Sequence, residues 1–159
     1  MPALRERLTA AGLADVRSYL QSGNVVVSTD RPPDELARAC EAQIAEDFGL
    51  AISVLVRTRD ELAKVVSANP LARVAIDPKR YQVSFCAVEP GPGLIERLGA
   101  LAVPPEQFAA IGREFYAWHP NGVARSRLWA ELGSRKLEVT ATSRNWATVT
   151  KLLELAREP

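Results

Sequence analysis

The chain has 159 residues, of which 47% are hydrophobic and 25% are charged, and its formal net charge is +1. These values are typical of one globular domain or two small ones with a real apolar core. A net charge near zero excludes the overall basicity of many nucleic-acid-binding proteins, and no apolar run is long enough to span a membrane. Without a signal peptide, and with only Cys40 and Cys86 as thiols, the sequence predicts a cytoplasmic protein.

The N-terminal half, residues 1–70, interleaves helical and strand patterns. Caps, turn residues and periodicity predict a helix ending near Gly12, strands over 16–20 and 25–29 joined by a turn at 21–24, a helix over 33–48, a strand at Ala51–Val56 and a helix over 59–68. Residues 71–80 lack clear periodicity and are predicted to be a connector.

The C-terminal half, residues 81–159, continues in the same manner. It predicts a strand over 81–88, a helix over 94–101, a hairpin around Gly112, a short helix over 126–132, a strand over 137–140 and a final helix. Both halves follow a β-α-β-β-α-β order if the first half lacks its first strand. The sequence therefore predicts an α+β fold made of two ferredoxin-like halves, the first of which is truncated.

The start of the final helix is the most informative stretch for function. Thr142 or Ser143 is a suitable N-cap, and a cation at Arg144 opposes the helix dipole in the first turn. Arg144, Thr148 and Lys151 share one helical stripe. Free amides, hydroxyls and two cations at a helix start predict an anion site.

Two other segments are candidates for the same site. The turn from Gln21 and Ser22 to Asn24 is rich in donors, although turn-favouring residues there also fit an ordinary hairpin. Arg125 and Ser126 either add to an anion site or provide a solvated cation and a helix cap. Residues 125–157 hold seven Lys and Arg against three Glu, which fits either a basic patch or a solvated face.

Other chemistry-bearing residues favour structural roles. His119 precedes a proline in a turn and is predicted to lie at the surface. Tyr116 and Trp118 alternate on a strand, where they either stack on bases or pack against a helix. Trp146 is predicted to anchor the last helix in the core. No nucleotide fingerprint, zinc spacing or nucleophile motif is present, so neither a metal nor a cofactor is predicted.

The chain resembles a bacterial family known as domain of unknown function 1697 in three sequence segments, at residues 19–26, 122–128 and 142–152. The resemblance covers nearly the whole chain. It implies two ferredoxin-like halves but no established activity, substrate or cofactor. Members of that family usually begin with a strand and a glycine-rich loop that this chain lacks, through either a late start assignment or a true truncation. The strand at Ala51–Val56 is then expected to lack a neighbour on at least one side or to pair with the other half.

Three functions remain open at this stage. The leading interpretation is a binding module for a phosphate-bearing ligand, either a nucleotide or RNA, held by Arg144 and Lys151 and by the amides after Ser143, with Thr148, Asn145 and Asn24 nearby. The alternatives are an enzyme acting on a phosphorylated small molecule and a structural or interaction protein without a ligand. Clustering of these side chains in one pocket would favour binding or catalysis over a purely structural role. The sequence does not determine the oligomeric state.

Overall fold

The computed structural model describes residues 2–20 and 23–158 of the chain. These residues form an α+β fold with α1 (Pro2–Ala10), β1 (Ala14–Tyr19), β2 (Asn24–Ser28), α2 (Pro33–Phe48), α3 (Arg59–Ala68), β3 (Tyr81–Cys86), α4 (Pro92–Leu101), β4 (Gln107–Ile111), β5 (Glu114–Trp118), α5 (Arg127–Leu132), β6 (Ala141–Asn145) and α6 (Trp146–Arg157). No helix among them is both long enough and apolar enough to cross a membrane.

The chain divides into two compact units. The first contains Met1–Leu62 and Lys151–Pro159, and the second contains Ala63–Thr150. The division therefore falls inside α3 and α6, whereas the sequence places a connector at residues 71–80. The domain bounds 1–70 and 81–159 stay a prediction.

The first unit is built on the antiparallel pair of β1 and β2, with Tyr19 opposite Asn24 at the hairpin end. Its buried core is small and consists of apolar residues from α1, α2 and the loop before β1: Leu8, Leu13 and Leu36. Pro33 begins α2, and Gly49, with φ of 65°, ends it in the left-handed conformation that glycine adopts at low cost.

The predicted strand at Ala51–Val56 is wrong, because no residue from 49 to 58 belongs to a helix or a strand. A β-strand is defined by main-chain hydrogen bonds to a neighbouring strand, and this segment makes none to the described residues. No amide of residues 50–56 donates a hydrogen bond to any described residue. The expectation that a strand at Ala51–Val56 lacks a neighbour on one side or pairs with the other half is therefore not tested, because the segment forms no strand.

The second unit contains a four-stranded antiparallel sheet in the order β4-β5-β3-β6. Helices α4 and α5 cover one face, around a core of seven buried residues: Cys86, Leu94, Leu98, Phe115, Ala117, Leu128 and Leu132. Since successive side chains of a strand alternate between faces, Tyr81, Val83 and Tyr116 lie on the other face, where they are also buried. The element order of this unit is the predicted β-α-β-β-α-β, and the ferredoxin-like arrangement of both halves remains a prediction.

Candidate functional site

The predicted helix start at Thr142–Asn145 is wrong, because these residues form strand β6. They pair with β3 in a continuous register from Gln82 opposite Asn145 to Cys86 opposite Ala141. Helix α6 begins at Trp146, directly after this strand. Asn145 caps the helix, since its Oδ1 accepts a hydrogen bond from the Thr148 amide at 2.9 Å. Pairing with β3 thus overrides the preference of Thr142 and Ser143 for helix caps.

Arg144 lies in β6 opposite Val83, so its cation does not occupy the first turn of α6. Its Nη1 donates to Thr142 Oγ1 at 2.6 Å and to the Ser143 carbonyl at 2.8 Å. Burial lowers the pKa of this guanidinium below its ordinary value, because desolvation penalises the charged form. Arg144 is therefore a partly desolvated cation on the edge strand of the sheet.

The polar groups around Arg144 are engaged within the protein. Ser143 Oγ lies 2.6 Å from Ser84 Oγ, and Thr148 is buried. The Ala147 amide donates to the Pro78 carbonyl at 3.4 Å, and the Thr148 amide donates to Asn145. At least two amides of the first turn of α6 are thus already satisfied, which argues against an anion held mainly by helix amides.

The other predicted site residues lie in different settings. Lys151 belongs to the first unit, and its Nζ lies 3.3 Å from Glu154 Oε1. Asn24, also in the first unit, is buried and donates from Nδ2 to the Tyr19 carbonyl at 3.0 Å. Gln21 and Ser22 lie outside the described residues.

Arg125 and Ser126 precede the short helix α5 in the second unit. Ser126 is the N-cap of α5, since its Oγ accepts a hydrogen bond from the Trp129 amide at 3.0 Å. Arg125 is exposed. The predicted capping role of Ser126 is confirmed, and Arg125 remains available to solvent.

His119 is fully buried, so its predicted place at the surface is wrong. Its Nδ1 lies 2.6 Å from Glu106 Oε2 and 3.4 Å from Ser126 Oγ, and the ring meets Trp129 edge-on. Its Nε2 is buried without a hydrogen-bond partner among the described residues. Because the acid and the serine meet the same ring nitrogen, this cluster lacks the geometry of a catalytic triad, in which they contact opposite nitrogens.

The predicted hairpin around Gly112 is the sequence feature from which the contact between His119 and Glu106 could have been predicted. Strands β4 and β5 pair with Ile111 opposite Glu114 and Gln107 opposite Trp118. Continuing that register by one step sets Glu106 opposite His119. The pair could therefore have been predicted from the turn position alone, if the strand had been extended back to Glu106, the residue after Pro104 and Pro105.

The aromatic residues of the sheet are packed inside the protein. Tyr116 and Trp118 are buried, which rules out base stacking on this strand and confirms the packing alternative. Trp146 is half-buried and stacks on Tyr81, with ring centroids 4.8 Å apart. Burial also raises the pKa of Tyr81 to about 12. Trp146 thus joins the start of α6 to the sheet, as the sequence predicts for a helix anchor.

Among the described residues, no three His, Cys, Asp or Glu side chains are placed to hold a metal ion. No curated protein matches the chain. A solved structure, "the structure of conserved bacterial protein SP0830 from Streptococcus pneumoniae", is similar over 99% of this chain and 88% of its own, with a TM-score of 0.72 and 20% identity. At that identity the likeness shows the fold alone. A family model described as "Protein of unknown function (DUF1697)" matches residues 1–116, and the chain therefore belongs to that family.

Proposed function

We propose that the second unit binds the phosphate group of a small anionic ligand, such as a nucleotide, and that Arg144 is the principal cation of the site. The observation that carries this proposal is a partly buried arginine on β6, the edge strand of the four-stranded sheet. Its burial also lowers the pKa of the guanidinium through desolvation. A cation in a lower dielectric attracts an anion more strongly than one in bulk water. Its planar fork also matches the oxygens of a phosphate.

The contacts between the end of β6 and the start of α6 limit the kind of ligand that the site can bind. Since the amides of Ala147 and Thr148 have internal acceptors, the guanidinium would carry most of the interaction with the anion. Since Tyr116 and Trp118 are buried, stacking of RNA bases on this strand has no support. A small phosphorylated ligand therefore fits these observations better than single-stranded RNA.

The competing functions have less support. His119 is the residue best suited to acid–base chemistry, but its ring is fully buried, so an enzyme acting on a phosphorylated molecule ranks second. A structural protein without a ligand is favoured by the internal hydrogen bonds of Ser143, Asn145 and Ser126. The experiment must therefore separate ligand binding at Arg144 from a purely structural role of that side chain.

The test is a thermal-shift and calorimetric titration of the full chain with pyrophosphate, ATP and a single-stranded RNA oligomer. A specific binder at about 100 times its Kd raises stability by about 2.7 kcal/mol. We expect Arg144→Gln to abolish the shift caused by pyrophosphate or ATP and Arg144→Lys to weaken it. The matched control is Arg135→Gln, which removes an exposed cation of the same unit. Absence of any shift, or equal weakening by the two Gln variants, would contradict the proposal.

A further inference from the structure

An open depression in the second unit lies between the segment that follows α3 and the beginning of β4. Its volume is about 460 Å³, which lies within the range of about 300–1,000 Å³ that is common for small-molecule sites. The lining runs from Ala68 to Val74 and includes Gln107. Most of these residues are small or apolar, and the polar side chains among them are those of Asn69, Arg73 and Gln107.

The side-chain amide of Asn69 is oriented by Tyr81. The Leu71 main-chain amide donates a hydrogen bond to the phenolic oxygen of Tyr81, and the Tyr81 hydroxyl donates its proton to Asn69 Oδ1 at 2.9 Å. Because the phenol has only one proton to donate, the atom of Asn69 that meets it is the acceptor oxygen. Asn69 Nδ2 therefore points away from this contact, and it donates to no described residue.

Arg73 and Gln107 provide further donors. Both side chains are exposed, and neither makes a hydrogen bond or an ion pair with a described residue. The lining thus offers one cation and two side-chain amides, and no carboxylate in the described lining offsets the charge of the guanidinium. A guanidinium without an internal partner, beside two amides, favours an anionic ligand.

The same lining indicates which kind of anion fits. The fork of Arg73 matches the two oxygens of a carboxylate, and the buried Leu71 and half-buried Val74 provide apolar surface for the body of the ligand. A phosphate monoester carries about −1.5 to −2 charges at pH 7, which a single cation offsets only in part. A monocarboxylate carries one charge, so it is the better match for this lining.

We propose that this depression binds a small monocarboxylic acid in its ionised form. Arg73 pairs with the carboxylate, Asn69 Nδ2 and Gln107 Nε2 donate to its oxygens, and the apolar body of the acid packs on Leu71 and Val74. The site is separate from the proposed phosphate site, since Gln107 lies in β4 and Arg144 lies in β6, at opposite edges of the four-stranded sheet.

The first experiment is a titration of the ¹⁵N-labelled full chain, followed by the side-chain amide signals of Asn69 and Gln107. The probes are hexanoate, its neutral analogue hexanamide and inorganic phosphate. We expect hexanoate to shift both signals with a Kd of about 1 mM, because so small a ligand makes few contacts. Hexanamide should bind at least about tenfold more weakly, since it lacks the charge. No shift up to about 20 mM hexanoate, or equal or tighter binding of hexanamide or phosphate, would overturn the proposal.

Two variants assign the binding to these side chains. Arg73→Gln should weaken hexanoate at least about tenfold, and the matched control Arg135→Gln, at an exposed cation of the same unit, should not. Asn69→Asp keeps an acceptor for Tyr81 and tolerates the positive φ of 26° at this position, but it replaces the Nδ2 donors by a negative charge. It should therefore abolish the shift of Gln107 while the main-chain spectrum stays that of the folded protein. Equal weakening by the two Gln variants, or unchanged binding by Asn69→Asp, would refute the site.

Discussion

The buried contact between His119 and Glu106 provides the sharpest test of the structure. His119 Nδ1 lies 2.6 Å from Glu106 Oε2, and the tautomer with its proton at Nδ1 donates that N–H to the carboxyl group. Glu106→Ala would leave this N–H without its acceptor in a fully buried ring whose Nε2 already lacks a partner among the residues that the structure describes. A buried donor left unsatisfied costs about 1–3 kcal/mol, so we expect the free energy of unfolding to fall by about 2 kcal/mol.

Three further variants isolate that contact. Glu106→Gln keeps an acceptor oxygen and should cost less than about 1 kcal/mol. In a His119→Phe background the donor is absent, so Glu106→Ala should cost less than about 0.5 kcal/mol there. Urea denaturation followed by far-UV circular dichroism measures all five proteins, namely the parent, Glu106→Ala, Glu106→Gln, His119→Phe and the double variant. If Glu106→Ala costs the same in both backgrounds, the two side chains are not coupled and the assignment of the contact is refuted.

Three other predictions follow from the sheet and the start of α6. Trp146→Ala should lower the free energy of unfolding by about 3 kcal/mol, because it removes the ring stacked on Tyr81; a loss below about 1 kcal/mol in denaturant would contradict the anchoring role. Asn145→Ala should cost about 1 kcal/mol through the lost cap of α6, whereas Asn145→Asp should be nearly neutral, and equal losses would argue against the cap. The pKa of Tyr81 is higher in the folded protein than in the unfolded chain, so folding favours the protonated phenol. The free energy of unfolding should therefore keep its full value below pH 10 and fall by about 2–3 kcal/mol as the pH rises to about 12. Denaturation at several pH values should show this decline, and Tyr81→Phe should reduce it; an unchanged decline in that variant would contradict the assignment.

The sequence predicts correctly those helix ends and turns that are determined by residues close together in the chain. Gly49 ends α2 in a left-handed conformation, Ser126 caps α5, and a hairpin turns at Gly112, as the sequence indicates. Each feature depends on residues within a few positions of one another. The order of elements in the second unit was predicted for the same reason. The predicted strand over 137–140 was misplaced, however, because the last strand of the unit is Ala141–Asn145.

Prediction from the sequence fails where the conformation of a segment depends on residues that are distant in the chain. Serine, threonine and asparagine suit both a helix cap and a polar edge strand, and only the pairing of Ser143 with Ser84 selects the strand. At Ala51–Val56 the β-propensity is high but no described strand lies beside it, so no ladder forms. His119 was misplaced because its turn sequence resembles a surface loop, while its burial depends on Glu106 across the sheet.

At the candidate site too, local sequence signals were not enough, because the setting of Arg144 depends on strand pairing. That setting also decides how a ligand-binding role of Arg144 can be distinguished from a structural one. Arg144 was selected from the sequence for a reason that the structure removes, since it lies in β6 and not in the first turn of α6. Its hydrogen bonds to Thr142 and Ser143 give it a structural role whether or not a ligand binds. A purely structural role predicts that Arg144→Gln lowers the melting temperature without ligand and leaves any ligand-induced shift intact. A binding role predicts that the shift itself disappears, and that Arg144→Lys, which keeps the charge but loses the fork, retains only part of it. The two roles are therefore distinguished by the difference between melting temperatures with and without pyrophosphate, and not by either temperature alone.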